Sequence, residues 1–159
     1  MRRKMKRIMI VVFMSLYLGN VSLRAHCQIP CGIYDDNLRF TLMAEHITTI
    51  EKSMKEVIRL SAVKTTDYNQ VVRWVQNKDK HADNLSEIVT YYFMAQRVMP
   101  ADNKDAKNYE KYVQKINLLH QLLYHAMKAK QTTDLEEINK LRELLKQFQA
   151  SYLDKQAEK

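Results

Sequence analysis

Glycine and proline each occur only twice among the 159 residues of the chain. A sheet-rich domain of this length needs many tight turns, which these two residues favour, whereas long helices need few. Apolar residues recur instead at spacings of three and four, the period of an amphipathic helix. The sequence therefore predicts an all-α protein, and its length is about that of one domain.

Four segments show the helical period, at about 37–60, 67–99, 105–130 and 134–152. Aspartates stand where helices begin, with Asp35 or Asp36 before the first segment, Asp67 before the second and Asp134 before the fourth. The predicted inward residues include Met43, Ile47, Ile58, Trp74, Val89, Tyr92, Phe93, Tyr109, Val113, Leu119, Leu141 and Phe148. Long helices joined by short loops predict an antiparallel up-down-up-down four-helix bundle over residues 37–153.

The first 25 residues have the order of a secretory signal peptide. Met1–Arg7 is basic, Ile8–Leu18 is apolar except for one serine, and Gly19–Ala25 is more polar and ends on a small residue. The apolar run is shorter than the roughly 20 residues that span a bilayer. We expect cleavage after Ala25, leaving a mature domain of residues 26–159 that is exported to the periplasm or the medium. An uncleaved membrane anchor is the alternative.

The formal charge of +8 is concentrated in that leader. Residues 1–25 carry six basic and no acidic residues, so residues 26–159 carry 20 basic and 18 acidic residues, a net charge of +2. No part of the mature chain combines a basic stripe with regularly spaced aromatic residues. Neither nucleic-acid binding nor membrane association after removal of the leader is expected.

Residues 26–36 read HCQIPCGIYDD and form an irregular segment before the first helix, which we call the hook. Both cysteines of the protein and the single glycine of the mature chain, Gly32, lie in this segment. Pro30 restricts the backbone between the cysteines, and Gly32 permits a tight turn after the second. This concentration of special residues points to a local chemical role.

Cleavage after Ala25 would give the hook five potential donor groups for a metal. His26 would offer its α-amine and imidazole, Cys27 its backbone amide nitrogen and thiolate, and Cys31 a second thiolate. The amine, amide and thiolates can form a planar N₂S₂ set with the imidazole available axially. Such geometry selects Ni(II) or Cu(II), whereas Zn(II) prefers a tetrahedron.

These donors also suit a redox role. Thiolates and a deprotonated amide give electron density to the metal, and an axial imidazole stabilises Ni(III), which could bring the couple between the two superoxide half-reactions. The competing interpretation is a structural exported bundle in which Cys27 and Cys31 form a disulfide.

The segment His26-Cys27-x-x-Pro30-Cys31-Gly32-x-Tyr34-Asp35 resembles the nickel hook of the nickel-containing superoxide dismutases. The similarity continues beyond the hook. It includes Asp35-Asp36-x-Leu38-Arg39-Phe40, Arg73-Trp74, Lys78-x-x-His81-Ala82 and Tyr92-Phe93.

The resemblance implies an antioxidant enzyme that converts 2 O₂⁻ + 2 H⁺ into O₂ + H₂O₂ with one nickel ion per subunit. It places the metal ligands on His26, Cys27 and Cys31, and the catalytic roles on His26 and on Tyr34, which would order water or substrate near the open axial face. A non-catalytic metal-binding bundle that keeps the hook is the alternative.

The resemblance further implies a homohexamer. The sequence agrees with an oligomer, because Tyr91–Met94 would cover nearly the whole circumference of an α-helix, and part of that belt should then meet another subunit.

One position departs from the family pattern, and the alignment of two others with it is ambiguous. Gln28 stands where many members carry aspartate. The carboxylate and arginine that orient the axial imidazole do not align unambiguously, and Glu45 and Arg73 are the candidates. The other histidines are expected to belong to the bundle or its surface, not to a metal site. They are His46, His81, His120 and His125.

Overall fold

A computed structural model describes residues 32–153 of the chain, and this range contains only helices and the loops between them. Helix α1 spans Asp36–Ser61, α2 spans Tyr68–Glu87 and continues as a π-helix over Ile88–Arg97, α3 spans Ala106–Gln131, and α4 spans Glu136–Leu153. Each helix packs on its neighbours in sequence, and α4 closes against α1. The predicted all-α four-helix bundle is confirmed. None of the helices in the described range has the length and apolarity of a bilayer span.

Aspartate side chains cap the helix starts, largely as the sequence predicts. Asp35 accepts a hydrogen bond from the Leu38 amide at 2.9 Å, which settles the choice between Asp35 and Asp36 at the start of α1. Asp67 and Asp105 accept from amides in the first turns of α2 and α3, at 3.1 and 3.2 Å. Each such bond satisfies a donor that the helix itself leaves unpaired.

The core lies along the bundle axis and contains most of the predicted inward residues. Its fully enclosed side chains include Met43, Ile47, Ile50, Met54, Leu85, Val89, Phe93, Leu119, Leu122, Leu141 and Phe148. Three predictions are wrong, because Ile58, Tyr109 and Val113 are 46%, 41% and 45% exposed. Ile58 lies in the last turn of α1, and periodicity gives the direction of a side chain but not whether a neighbouring helix covers it. On α3 the errors are confined to its first part, since Leu119 further along the same helix is fully buried as predicted.

In the first part of α3 a lysine occupies the inward face. The buried side of α3 passes through Lys115, Leu119, Leu122 and Ala126, with Lys115 only 6% exposed. At 100° per residue this face points away from Val113. A stripe drawn only through apolar residues misses the position that a long lysine stem can fill.

The π-helical segment Ile88–Arg97 is a second departure from the predicted fold, since the sequence indicates a continuous α-helix. At its end the Val98 amide donates to the Phe93 carbonyl at 2.8 Å, five residues back. A π-helix turns through a smaller angle per residue than an α-helix. Consecutive residues therefore stay on one side, so that Tyr92 and Phe93 are both buried and Met94 packs on the core, while Tyr91 is 50% exposed.

A buried lysine ties α2 to the end of α3. Lys78 is 3% exposed, and its ammonium donates to the carbonyl oxygens of Ala129 and Lys130 at 2.7 and 2.5 Å. These carbonyls belong to the last turn of α3, where helical hydrogen bonding leaves acceptors unpaired and the helix dipole is negative. A cation from the neighbouring helix thus caps α3 from the side.

We expect the substitution K78M to lower the free energy of unfolding by about 2–3 kcal/mol, because it leaves the buried carbonyls at the end of α3 without their charged donor. Urea unfolding followed by circular dichroism would measure the loss. The control is K80M, two residues along on the exposed side of α2, which should change stability by less than about 0.5 kcal/mol. Equal effects of the two substitutions would contradict the capping role of Lys78.

Candidate functional site

The predicted metal ligands His26, Cys27 and Cys31 lie outside the described residues. The described chain begins at Gly32, whose φ of +74° is in the left-handed region. Glycine adopts this conformation without steric penalty, which is the property that the sequence analysis attributes to Gly32. Tyr34, the remaining predicted site residue, lies in the described range.

Tyr34 precedes α1 and rests on side chains from the end of α2. The guanidinium carbon of Arg97 lies 4.5 Å from the centre of the Tyr34 ring, close enough for a cation–π contact. The Tyr92 ring meets Tyr34 edge-on, with centroids 5.9 Å apart. The Tyr34 hydroxyl is 3.4 Å from Oε1 of Gln96, a long and weak hydrogen bond. The side chain of Tyr34 is held mainly by its ring, and its hydroxyl keeps most of its hydrogen-bonding capacity.

Asp36, two residues further on, is the most heavily hydrogen-bonded carboxylate in the described chain. Arg97 donates to both oxygens, from Nε to Oδ1 at 2.9 Å and from Nη2 to Oδ2 at 2.7 Å. The Tyr92 hydroxyl donates to Oδ1 at 2.5 Å, and the Tyr152 hydroxyl donates to Oδ2 at 2.9 Å. The Asp36 side chain is 11% exposed. We call Asp36, Tyr92, Arg97 and Tyr152 the Asp36 cluster.

The up-down topology brings these residues together. Asp36 begins α1, whereas Tyr92 and Arg97 lie near the end of α2 and Tyr152 lies near the end of α4. Antiparallel neighbours place the start of α1 beside the ends of α2 and α4. A group of aromatic side chains lies next to the cluster. In this group Phe93 packs on Phe40 and Phe148, with ring centroids 5.0 and 4.9 Å apart. The cluster thus has a rigid apolar base.

The π-helix is what lets both Tyr92 and Arg97 reach Asp36. In an α-helix, two residues five apart point about 140° away from each other. In a π-helix the hydrogen bond itself joins residues five apart, so their side chains lie on one face. Tyr92 and Arg97 are five apart, and both donate to Asp36 Oδ1. The π-helical winding therefore places both donors, Tyr92 and Arg97, on the side of the helix that faces Asp36.

Electrostatics keep the cluster in one protonation state. Burial tends to raise the pKa of Asp36, but hydrogen bonds from Arg97, Tyr92 and Tyr152 outweigh it and hold that pKa below its ordinary value. Burial and the hydrogen bond to Asp36 raise the pKa of Tyr152 to about 12 and raise that of Tyr92 further. At neutral pH Asp36 is a carboxylate, and both phenols remain protonated donors to it.

The sequence suggests Glu45 and Arg73 as the carboxylate and arginine that orient the His26 imidazole, and in the described residues these two side chains do not form an ion pair with each other. Glu45 and Arg73 are both exposed. Glu45 raises the pKa of His46, although burial and the charge of His81 have the larger, opposite effect. The role of Glu45 and Arg73 towards the imidazole of His26 stays a prediction, because His26 lies outside the described range.

The bundle histidines make contacts with each other and with one carboxylate. His46 and His81 face each other with their Nδ1 atoms 2.9 Å apart. His125 contacts Oε2 of Glu137 at 2.6 Å. No group of three or more His, Cys, Asp or Glu side chains within residues 32–153 is arranged to hold a metal ion.

Sequence reasoning missed Arg97, Tyr152 and the role of Asp36. The partners of Asp36 lie 56, 61 and 116 residues away along the chain. Helical periodicity gives no signal at that range. The one available hint is the Asp35-Asp36 pair, since one carboxylate suffices for the helix cap and the second requires another partner.

We expect D36N to lower the free energy of unfolding by about 2–3 kcal/mol at neutral pH, because an amide cannot replace the carboxylate that pairs with Arg97. The folded-state pKa of Asp36 is lowered from 3.8, so its contribution is complete above the unfolded-state pKa and is lost as pH falls through the folded-state pKa. The difference between wild type and D36N should therefore be constant above about pH 5 and shrink in more acidic solution. Urea unfolding at a series of pH values would measure it.

The matched control is D83N, because the Asp83–Lys130 ion pair has a similar length of 2.8 Å but side chains that are 54% and 36% exposed. An exposed pair contributes less than about 1 kcal/mol. A loss in D36N no larger than that in D83N would show that the Asp36 cluster does not stabilise the bundle.

Comparison with known proteins identifies the family. A family model described as nickel-containing superoxide dismutase matches residues 21–156, which is most of the chain. Comparisons with curated proteins and with solved structures gave no match. The family match supports nickel as the cofactor and superoxide as the substrate. The chain belongs to the nickel-containing superoxide dismutases, which are oxidoreductases.

Proposed function

We propose that the chain is exported, loses residues 1–25, and dismutates superoxide at an N-terminal nickel hook formed by His26, Cys27 and Cys31. The observation that carries this proposal is the family match, whose range of 21–156 includes all three residues. The order of basic, apolar and polar residues in the leader supports export. In that case the α-amine of His26 would be created by the cleavage itself.

The donor groups of the hook fit nickel. The two thiolates, the α-amine, the Cys27 amide nitrogen and the His26 imidazole would hold the ion, and a nitrogen and sulfur donor set of this kind suits nickel. When bound, nickel supplies one-electron chemistry by alternating between Ni(II) and Ni(III). Cys27 and Cys31 must stay reduced, because a disulfide would remove both thiolates.

Tyr34 is the phenol that this site offers to substrate. Among the tyrosines of this end of the bundle, Tyr92 and Tyr152 already donate their protons to Asp36. The Tyr34 hydroxyl has only the 3.4 Å contact to Gln96, and the residue is 43% exposed. It can therefore hydrogen-bond water or superoxide, and Tyr34 follows Cys31 by three residues.

A mature protein that retains Ala25 before His26 should have no superoxide-dismutating activity. The extra residue turns the terminal amine into a secondary amide, a much poorer donor at neutral pH. The purified protein would be assayed for superoxide decay, and its mass and nickel content would be measured beside those of a protein that begins at His26. Full activity with Ala25 present would exclude the amine as a ligand. Nickel without activity in the protein that begins at His26 would favour the non-catalytic metal-binding bundle.

We also propose a homo-oligomer, with a hexamer favoured by the family resemblance. The apolar surface available for it is smaller than the sequence suggests. Tyr92 and Phe93 are in the core of their own bundle, whereas Tyr91 and Met99 remain 50% and 67% exposed. Near the other end of α2, Tyr68 is 75% exposed and Val72 is 53% exposed. These side chains are candidates for contacts between subunits.

Light scattering on the mature, nickel-loaded protein should give a mass several times that of one chain at micromolar concentration. Association should weaken in the double substitution Y91S/M99S, which removes exposed apolar area without touching the buried Tyr92 and Phe93. V63S, at an exposed position in the loop after α1, is the control. A fully active monomer would rule out the oligomer.

A further inference from the structure

We propose that Arg97 is a positioning residue for Tyr34, and that Asp36 holds Arg97 in place for this task. The inference rests on the proposed role of Tyr34 at the nickel hook. It adds a residue from the far end of α2 to the machinery, in a position that the hook sequence does not reveal.

Tyr34 has little else to hold it. Residues 33–35 have no regular secondary structure, and the neighbouring Ile33 is 81% exposed. The Tyr34 ring lies under the guanidinium of Arg97 at 4.5 Å, and its hydroxyl contact with Gln96 is weak. The edge contact with Tyr92 limits sideways movement. In the described structure the guanidinium plane is therefore the main surface that orients the Tyr34 ring.

Arg97 is itself fixed at both ends of its fork. Nε and Nη2 bind the two oxygens of Asp36, and this bidentate pairing defines the plane of the guanidinium. Tyr92 and Tyr152 in turn fix the Asp36 carboxylate. The chain of contacts thus runs from α4 and the π-helix, through Asp36 and Arg97, to the ring of Tyr34.

The same pairing argues against a role for Arg97 in attracting superoxide electrostatically. The carboxylate of Asp36 offsets the charge of Arg97 at a distance of 2.7 Å, so the pair attracts an anion only weakly at longer range. Positioning depends on shape, because only arginine combines a planar face for stacking with a fork that matches a carboxylate. Lysine would retain the charge and lose both features, which makes R97K the decisive substitution.

The test is a double-mutant cycle with R97K and Y34F in the mature, nickel-loaded protein. We expect R97K to lower kcat/KM for superoxide about tenfold at unchanged nickel content, as misplacement of a group near the reaction does. If Arg97 acts through Tyr34, R97K should have little further effect in the Y34F background. The control is R142K, which makes the same change in an arginine that pairs with Glu51 at 2.7 Å, and it should leave kcat/KM unchanged.

Hydrogen exchange provides a readout that does not depend on activity. In R97K, the amides of Leu38 and Arg39, which donate to Asp35 beside Tyr34, should exchange at least about tenfold faster, while those of the core turns around Ile47 and Leu119 should not change. A general loss of stability would instead speed exchange across the bundle. R142K should leave the exchange of Leu38 and Arg39 as it is in the wild type.

Each outcome decides the matter. Equal effects of R97K with and without the Tyr34 hydroxyl, or unchanged exchange at Leu38 and Arg39, would overturn the positioning role and leave the hook assignment intact. If R97K kept the wild-type kcat/KM and R97Q lost it, only the positive charge of Arg97 would matter, and the positioning role would be wrong. An inactive wild-type protein loaded with nickel would instead refute the proposed function. Full activity in Y34F would remove the role of Tyr34 and with it that of Arg97.

Discussion

One carboxylate, that of Asp36, joins three of the four helices at the end of the bundle where the hook connects. It begins α1 and accepts hydrogen bonds from Arg97 and Tyr92 at the end of α2 and from Tyr152 at the end of α4. A largely buried charge is stable only when such partners surround it. The position of Arg97 and the contact of its guanidinium with the Tyr34 ring both depend on this group.

The sequence predicts the bundle well because the bundle depends on local signals. Capping aspartates and apolar stripes gave the four helices, with boundaries close to those observed, and the family resemblance is confirmed by the family match. Predictions failed where the outcome depends on distant partners. Lys78 and Lys115 are buried, although lysine usually indicates a surface position. Ile58 lies on the predicted face of α1, but no neighbouring helix covers it and it is exposed. The Asp36 cluster joins residues up to 116 positions apart, which no periodicity can indicate.

The three tyrosines near Asp36 illustrate how environment separates chemically identical groups. Tyr92 and Tyr152 are donors to a carboxylate, and their pKa values are raised by burial and by that bond. They contribute structure and are poor proton donors. Tyr34, on the exposed side of Arg97, keeps its hydroxyl available. A bundle of ordinary helices thereby leaves the Tyr34 phenol available in the short irregular segment before α1.

The π-helical winding of residues 88–97 has a consequence for how the site tolerates changes in chain length. A π-helix holds one more residue per turn of hydrogen bonding than an α-helix. Deleting a single residue within 88–91 would keep Tyr92 and Arg97 five apart while it let α-helical winding resume in a continuous helix. Tyr92 and Arg97 would then diverge, and Asp36 would lose a donor although neither residue had been substituted. The length of this segment therefore matters to the Asp36 cluster as much as the identity of its residues does.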